Sequence, residues 1–189
     1  MKKLSILTVF AFLTFLSMSA QDFAFGVKGG VNVASVGGNA YAGLGGLSSF
    51  GSKISFHVGG VVEIPISEKL AVQPELLYSS QGSNWAFNSS GNNLKLDYAN
   101  LPVMFKYYFI EGLSAEAGPL VGFLLSTNGN KEDFKSLDIA VGIGASYKIG
   151  EHLFVGLRYN KGIMNINNDP NLNGSNQNNV FQVSAGYRF

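Results

Sequence analysis

From Val180 to Phe189 the side chains alternate without a break. Phe181, Val183, Ala185, Tyr187 and Phe189 fall on one face of an extended segment, and Gln182, Ser184, Gly186 and Arg188 fall on the other. The same period of two recurs along the chain and constrains it more than any other feature, because a segment with one apolar and one polar face is a strand between two unlike environments. Seven further segments carry it: Phe23 to Val33, Ile54 to Ile64, Leu70 to Tyr78, Leu94 to Tyr108, Leu113 to Leu125, Leu137 to Lys148 and Leu153 to Asn160. The fourth is the least regular. Leu94 and Leu96 share one parity while Leu101, Val103, Phe105 and Tyr107 share the other, so a β-bulge is expected between Asp97 and Ala99.

The connections alternate in length. Long Gly-, Ser- and Asn-rich stretches (Gly37 to Gly51, Gly82 to Asn93, Thr127 to Ser136, Ile163 to Asn179) take turns with short ones (Pro65 to Lys69, Phe109 to Gly112, Ile149 to His152). Outer-membrane barrels have this asymmetry, with short periplasmic turns and long extracellular loops, and an even strand count returns both termini to the periplasm. Strands of about ten residues, tilted by about 40°, cover the ~25 Å apolar band of such a barrel.

Ahead of the first strand, Met1 to Ala20 carries Lys2 and Lys3, an apolar core from Leu4 to Leu16, and Ser17 to Ala20 before Gln21. It reads as a secretory signal peptide removed near Ala20, which leaves a barrel domain of residues 21–189. After it, no run approaches the ~18 apolar residues of a spanning helix. Yet 46% of residues are hydrophobic and only 13% are charged, about half the ~25% of soluble domains. Insertion into a membrane must therefore use strands. A formal net charge of +1 excludes the basic face of a nucleic-acid binder, and the lack of Cys excludes disulfides and thiolate chemistry.

Once the apolar faces are fixed, the charges test them. Lys28, Glu63, Glu75, Lys106, Glu116, Asp138, Lys148, Arg158 and Arg188 all lie opposite, as does His57. A soluble lipocalin-like barrel would sort the same charges outward, so two further features decide. The charged face is crowded with glycine, including Gly26, Gly30, Gly59, Gly118, Gly142 and Gly144; glycine weakens a strand, and the tapering interior of a small barrel supplies a reason for it. Apolar-face aromatics gather at the strand ends, with Phe23, Phe25, Tyr107, Tyr147, Tyr187 and Phe189 at one end and Tyr78 and Tyr159 at the other, as in the girdles of a membrane barrel. Pro74, Pro102 and Pro119 fall inside strands and are expected at bulges or strand ends, since proline removes a ladder donor. The fold expected is all-β: a transmembrane up-and-down antiparallel β-barrel of about eight strands, following a cleaved signal peptide, in the outer membrane with both termini periplasmic.

Four segments in order, LAVQPELLYSSQG from Leu70, NLPVMFKYYF from Asn100, SAEAGPLVGF from Ser114 and LRYNKGI from Leu157, span nearly the whole mature chain. Together they resemble the PorT-like outer-membrane β-barrel family of Bacteroidota. The resemblance implies an integral outer-membrane barrel and makes the three prolines part of a family pattern, while assigning no activity. The final strand resembles the terminal segment read by the outer-membrane assembly machinery of Gram-negative bacteria. That resemblance implies that Phe181, Val183, Ala185, Tyr187 and Phe189 form an assembly signal and that the last strand pairs with the first.

Little in the sequence suggests catalysis. His57 and Asp138 share the lumen face and, with a Ser, have the residue types of a barrel hydrolase or acyltransferase. The plainer reading is a lumenal polar network of Lys28, His57, Glu63, Glu75, Lys106, Glu116, Asp138, Lys148, Arg158 and Arg188, because buried charges require partners. Ion pairs are expected near the periplasmic end among Glu63, Lys148 and Arg188, and at mid-height among Lys28, Glu75 and Arg158, with the individual pairings left open. Glu132, Asp133 and Asp169 lack the spacing of a cation loop, and Gly43 to Gly46 lacks the helix and Lys of a phosphate loop. No cofactor and no metal are expected. The partners expected are outer-membrane lipid, the assembly machinery and an extracellular partner met by the loops. A structural or interaction role follows, with a narrow pore for small solutes as the alternative and a barrel-embedded enzyme as a distant one.

Overall fold

The repeated alternation closes on itself. The computed structural model describes residues 23–38, 51–84, 93–168 and 174–189, and these form eight strands: β1 (Ala24–Gly38), β2 (Lys53–Pro65), β3 (Leu70–Asn84), β4 (Asn93–Ile110), β5 (Leu113–Thr127), β6 (Leu137–Ile149), β7 (Leu153–Gly162) and β8 (Asn176–Arg188). Each pairs antiparallel with its neighbour in sequence, and β8 returns to β1 with Val31 opposite Val183 and Val33 opposite Phe181. Closure leaves no unpaired edge.

The cylinder is inside-out relative to a soluble domain. Leu157 and Tyr159 point outward at 51% and 41% exposure, whereas Arg158, between them in the pleat, is 2% exposed. One end carries Phe23, where the described residues begin, the C-terminal Phe189 and the short turns, two of them closed by Gly112 at φ +83° and Gly150 at φ +67°; we call it the turn end. There Tyr107 lies edge-on to Phe109, and Tyr187 to Phe189, at centroid separations of 5.1 and 5.6 Å. At the other, loop end, several strands outrun their apolar alternation. Gly37 pairs with Gln177 and Ser83 with Leu94, so stretches whose composition reads as loop continue the ladder once the neighbouring strand is in place.

β4 corrects the expected phase. Leu94, Leu96, Tyr98, Asn100, Met104 and Lys106 are all buried in the interior, so the alternation of this strand is unbroken, and Leu94 and Leu96 face the lumen. A register shift does occur at Asp97/Tyr98, but the extra residue belongs to β5: Asp97 pairs with Ser126 and Tyr98 with Leu124, leaving Leu125 unmatched. Parity misled because the loop end of the lumen is itself apolar.

The prolines also behave differently from expectation. Pro74 pairs with Val103 and Pro102 with Leu120, and the β3–β4 register on either side of the gap, Pro74↔Val103 and Leu77↔Asn100, is the same. Each proline drops ladder pairs locally, without a bulge and without ending the strand. Glycine on the inner face has a cause beyond taper. A Cβ on Gly59 would meet the backbone of Leu76 and Leu77 on β3, so the sharply coiled sheet of a narrow barrel brings neighbouring backbones too close for a side chain.

Candidate functional site

Among the described residues the interior is where charged and polar side chains concentrate, and the register explains who meets whom. Arg158 on β7 lies opposite Gly144 on β6, and Gly144 lies opposite Glu116 on β5. With no side chain between them, Arg158 reaches over Gly144 and donates from Nε to Glu116 Oε1 at 2.7 Å. Its two terminal nitrogens cross the lumen to Glu75 on β3, Nη2 to Oε1 at 2.7 Å and Nη1 to Oε2 at 2.8 Å. Lys28 Nζ adds a contact to Glu75 at 3.2 Å. The two cations and two carboxylates of this mid-height tier cancel.

A second tier sits nearer the turn end. Glu63 accepts from Lys148 at 2.8 Å, from Lys106 at 2.9 Å and from Arg188 Nη1 at 3.3 Å. Gln73 ties the tiers together, its amide oxygen accepting from Lys106 at 3.0 Å and its Nε2 donating to Glu75 at 2.7 Å. Taking a charge out of water costs several kcal/mol, which is recovered only when the partner geometry is good and the remaining donors are met. The mid-height tier meets that condition; the lower one leaves three cations on one carboxylate.

His57 belongs to a neutral layer above. Asn32 Nδ2 donates to Ser80 O, Phe56 O and Ser79 Oγ at 2.8, 3.0 and 3.1 Å, which fixes the orientation of its amide. Its Oδ1 can only accept, so His57 Nδ1, 2.8 Å away, carries the proton. His57 Nε2 then accepts from the Ser184 hydroxyl at 3.0 Å. Gln182 donates to the same Asn32 oxygen at 3.0 Å and accepts from Asn160 at 3.1 Å. A Ser–His–Asn chain therefore exists, but His57 is 1% exposed and every member is held by barrel side chains.

Asp138 stands apart from His57. It accepts from Asn178 Nδ2 at 2.8 Å, and the same amide reaches Tyr98 Oη at 3.2 Å; no ion pair to Asp138 occurs among the described residues. Above it the lumen becomes apolar. Val36, Leu94, Leu96, Tyr98, Leu124, Phe134 and Ile166 form one buried cluster, capped by two connections that fold inward and bond each other, Lys135 N to Ile166 O at 2.8 Å and Asn168 N to Asp133 O at 2.9 Å. Glu132 and Asp133 lie in a single 3-10 turn, Lys131–Asp133. Asp169, Gly43 to Gly46 and the expected leader lie outside the described residues.

At the turn end the lumen opens into a cavity of about 1050 Å³ whose inner wall includes Glu63, Tyr108, Lys148 and Arg188. The Tyr108 ring lies under Lys148 at 4.4 Å from its centroid. The neutral residues of the interior, Asn32, Gln73, Tyr98, Tyr108, Asn178, Gln182 and Ser184, were not singled out by charge. Parity carries them all, since Asn32 shares the face of Lys28, Gln73 that of Glu75, and Tyr98 and Tyr108 that of Lys106. Of the terminal row, Phe181, Tyr187 and Phe189 face outward beside β1 and β7; Val183 and Ala185 share that face.

A family model described as the outer membrane protein β-barrel domain matches residues 19–168. Among solved structures, Ail, the attachment invasion locus protein of Yersinia pestis, resembles the chain in two crystal structures. In complex with the heparin analogue sucrose octasulfate it superposes with a TM-score of 0.53 at 14% identity, covering 89% of this chain and all of that one. Without that ligand the TM-score is 0.51 at 12% identity, with the same coverage. OprG of Pseudomonas aeruginosa aligns over 89% of this chain and 96% of its own, at 15% identity and a TM-score of 0.48. At these identities the likeness is one of fold. No curated protein matches the sequence.

Proposed function

The chain belongs to the outer membrane protein β-barrel domain family, and from that premise we propose that it is a small integral barrel with a filled lumen, serving a structural or interaction role through its loops. Within that family the sequence motifs favour the PorT-like branch of Bacteroidota. In this reading residues 1–20 are a signal peptide, residues 21–189 form the barrel, both termini and the short turns face the periplasm, and the Asn-, Gly- and Ser-rich loops face outward to a partner. Outer-membrane lipid surrounds the apolar faces, and the assembly machinery reads the terminal strand. Nucleic acid, cofactor and metal have no part in it.

One observation carries this proposal: the side chain of Arg158 spans the lumen between Glu75 and Glu116, beneath an apolar cluster at the loop end. An eight-stranded barrel has an interior just wide enough for side chains to fill, and here charged, neutral and apolar layers fill it in turn. A non-catalytic role is supported by His57, whose two ring nitrogens are both engaged deep in the interior. Single-channel recording of the refolded barrel in planar bilayers tests the proposal. Negligible conductance is expected, and steady open currents would replace it with the alternative of a narrow pore.

A further inference from the structure

We infer that the cavity at the turn end is a binding site for a phosphate-type oxyanion. The argument starts from charge. The mid-height tier sets Lys28 and Arg158 against Glu75 and Glu116 and is neutral. The tier below sets Lys106, Lys148 and Arg188 against Glu63 alone, three cations less one anion; Lys148, Arg188 and Glu63 line an open cavity of about 1050 Å³, and Lys106 lies behind them, bonded to Glu63 at 2.9 Å.

Donors are in excess as well. Arg188 Nη1 reaches Glu63 only at 3.3 Å, Nη2 donates to the Glu151 carbonyl at 3.0 Å, and Nε is buried with no hydrogen-bond partner. The Tyr108 hydroxyl is buried beside the Glu63 carboxylate, which it can meet itself. Lys148 donates to Glu63 and keeps further N–H donors. A buried donor left unmet is costly, and the Arg188 guanidinium lines the same cavity as the Lys148 ammonium.

The complementary ligand follows from those surpluses. A phosphate group carries about −1.5 to −2 charge and three strong acceptor oxygens, which matches the surplus positive charge of the tier and donors from a guanidinium and an ammonium; a carboxylate brings half the charge and one oxygen fewer. Glu68, Lys69, Glu111 and Glu151 stand on the rim, where they are exposed and water and salt weaken their field. The rim also carries Leu70, Phe109 and Tyr147, so the phosphate can arrive free in solution or on a lipid headgroup. The site exists in either orientation of the barrel; only the compartment that supplies the oxyanion rests on the reading that the turn end is periplasmic.

The test uses ¹⁵N-labelled full-length mature barrel refolded in uncharged maltoside micelles, where orientation plays no part. Inorganic phosphate is titrated in one arm, short-chain phosphatidic acid doped into the micelles in a second, and sodium chloride at matched ionic strength in a third. The readout is the Arg188 Nε–H resonance and the amides of Ala71 and Gly112 on the cavity wall. A saturable shift confined to these signals in either phosphate arm, weakened at least tenfold by Lys148→Met, is expected, and the arm that responds identifies the source. No saturable shift in either arm, the same shift with chloride, or undiminished binding by a Lys148→Met barrel would overturn the proposal. Lys148 is partly exposed at 23%, and heat-modifiable migration checks that the variant has folded before it is titrated.

Discussion

Arg158 and Glu75 meet as a pair of parallel hydrogen bonds, 2.7 and 2.8 Å long, across the lumen from strands that do not touch in the sheet. The pair is 83 residues apart in sequence. Breaking a buried pair costs about 3–5 kcal/mol because the remaining charge is stranded. Arg158→Met keeps the bulk and removes the charge, leaving Glu116 without its bonded cation. The urea midpoint of the refolded barrel is expected to fall by the corresponding amount. Gly144→Ala should act in the same direction, since its Cβ would lie 3.1 Å from Glu116 Oε1 and 3.0 Å from Arg158 Cα. An unchanged midpoint for Arg158→Met would mean that the lumen is hydrated at this level.

Leu96 and Leu101 lie on the same strand and face opposite ways, the first fully buried in the lumen and the second 42% exposed on the outer face. The chain has no Cys, so single Cys variants give clean labels. A nitroxide at Leu101→Cys in a lipid bilayer should be relaxed strongly by oxygen, which concentrates in hydrocarbon, whereas one at Leu96→Cys should be protected from oxygen. Comparable oxygen accessibility at the two positions would restore the phase reversal that parity alone suggests for β4. Leu96→Ala should in addition cost about 2–5 kcal/mol of stability, as a core leucine does.

Phe189 lies at the rim, 75% exposed, with its backbone N–H bonded to Phe25 O at 2.8 Å. Its ring packs on Tyr187 and little else in the described residues. Deleting it should therefore change the stability of the finished barrel by no more than about 1 kcal/mol, the scale of one aromatic pair. Insertion in cells should fall much more, if the terminal strand is an assembly signal. Surface exposure in cells and detergent refolding of the two purified chains make the comparison. Equal insertion of wild type and deletion, or equally impaired refolding without any machinery, removes the signal role.

The strand count, the outward face of every strand except the loop end of β4, and the placement of the short turns were legible in the sequence, because a period of two is a local property and each strand declares it independently. The ten charged and histidine positions of the inner face followed from the same parity. Parity failed at Leu94 and Leu96, where apolar residues line the lumen, and composition failed at Gly37 to Gly38 and Asn176 to Asn179, which pair as strand. Pairing across the lumen was beyond the sequence altogether. It depends on the stagger by which strands are offset around the cylinder, and stagger is set by closure of the whole sheet, not by any segment of it. Only the closed barrel decides that Arg158 reaches Glu75 and Glu116, that His57 meets Asn32 and Ser184 and leaves Asp138 to Asn178, and that three cations converge on Glu63 at an open mouth.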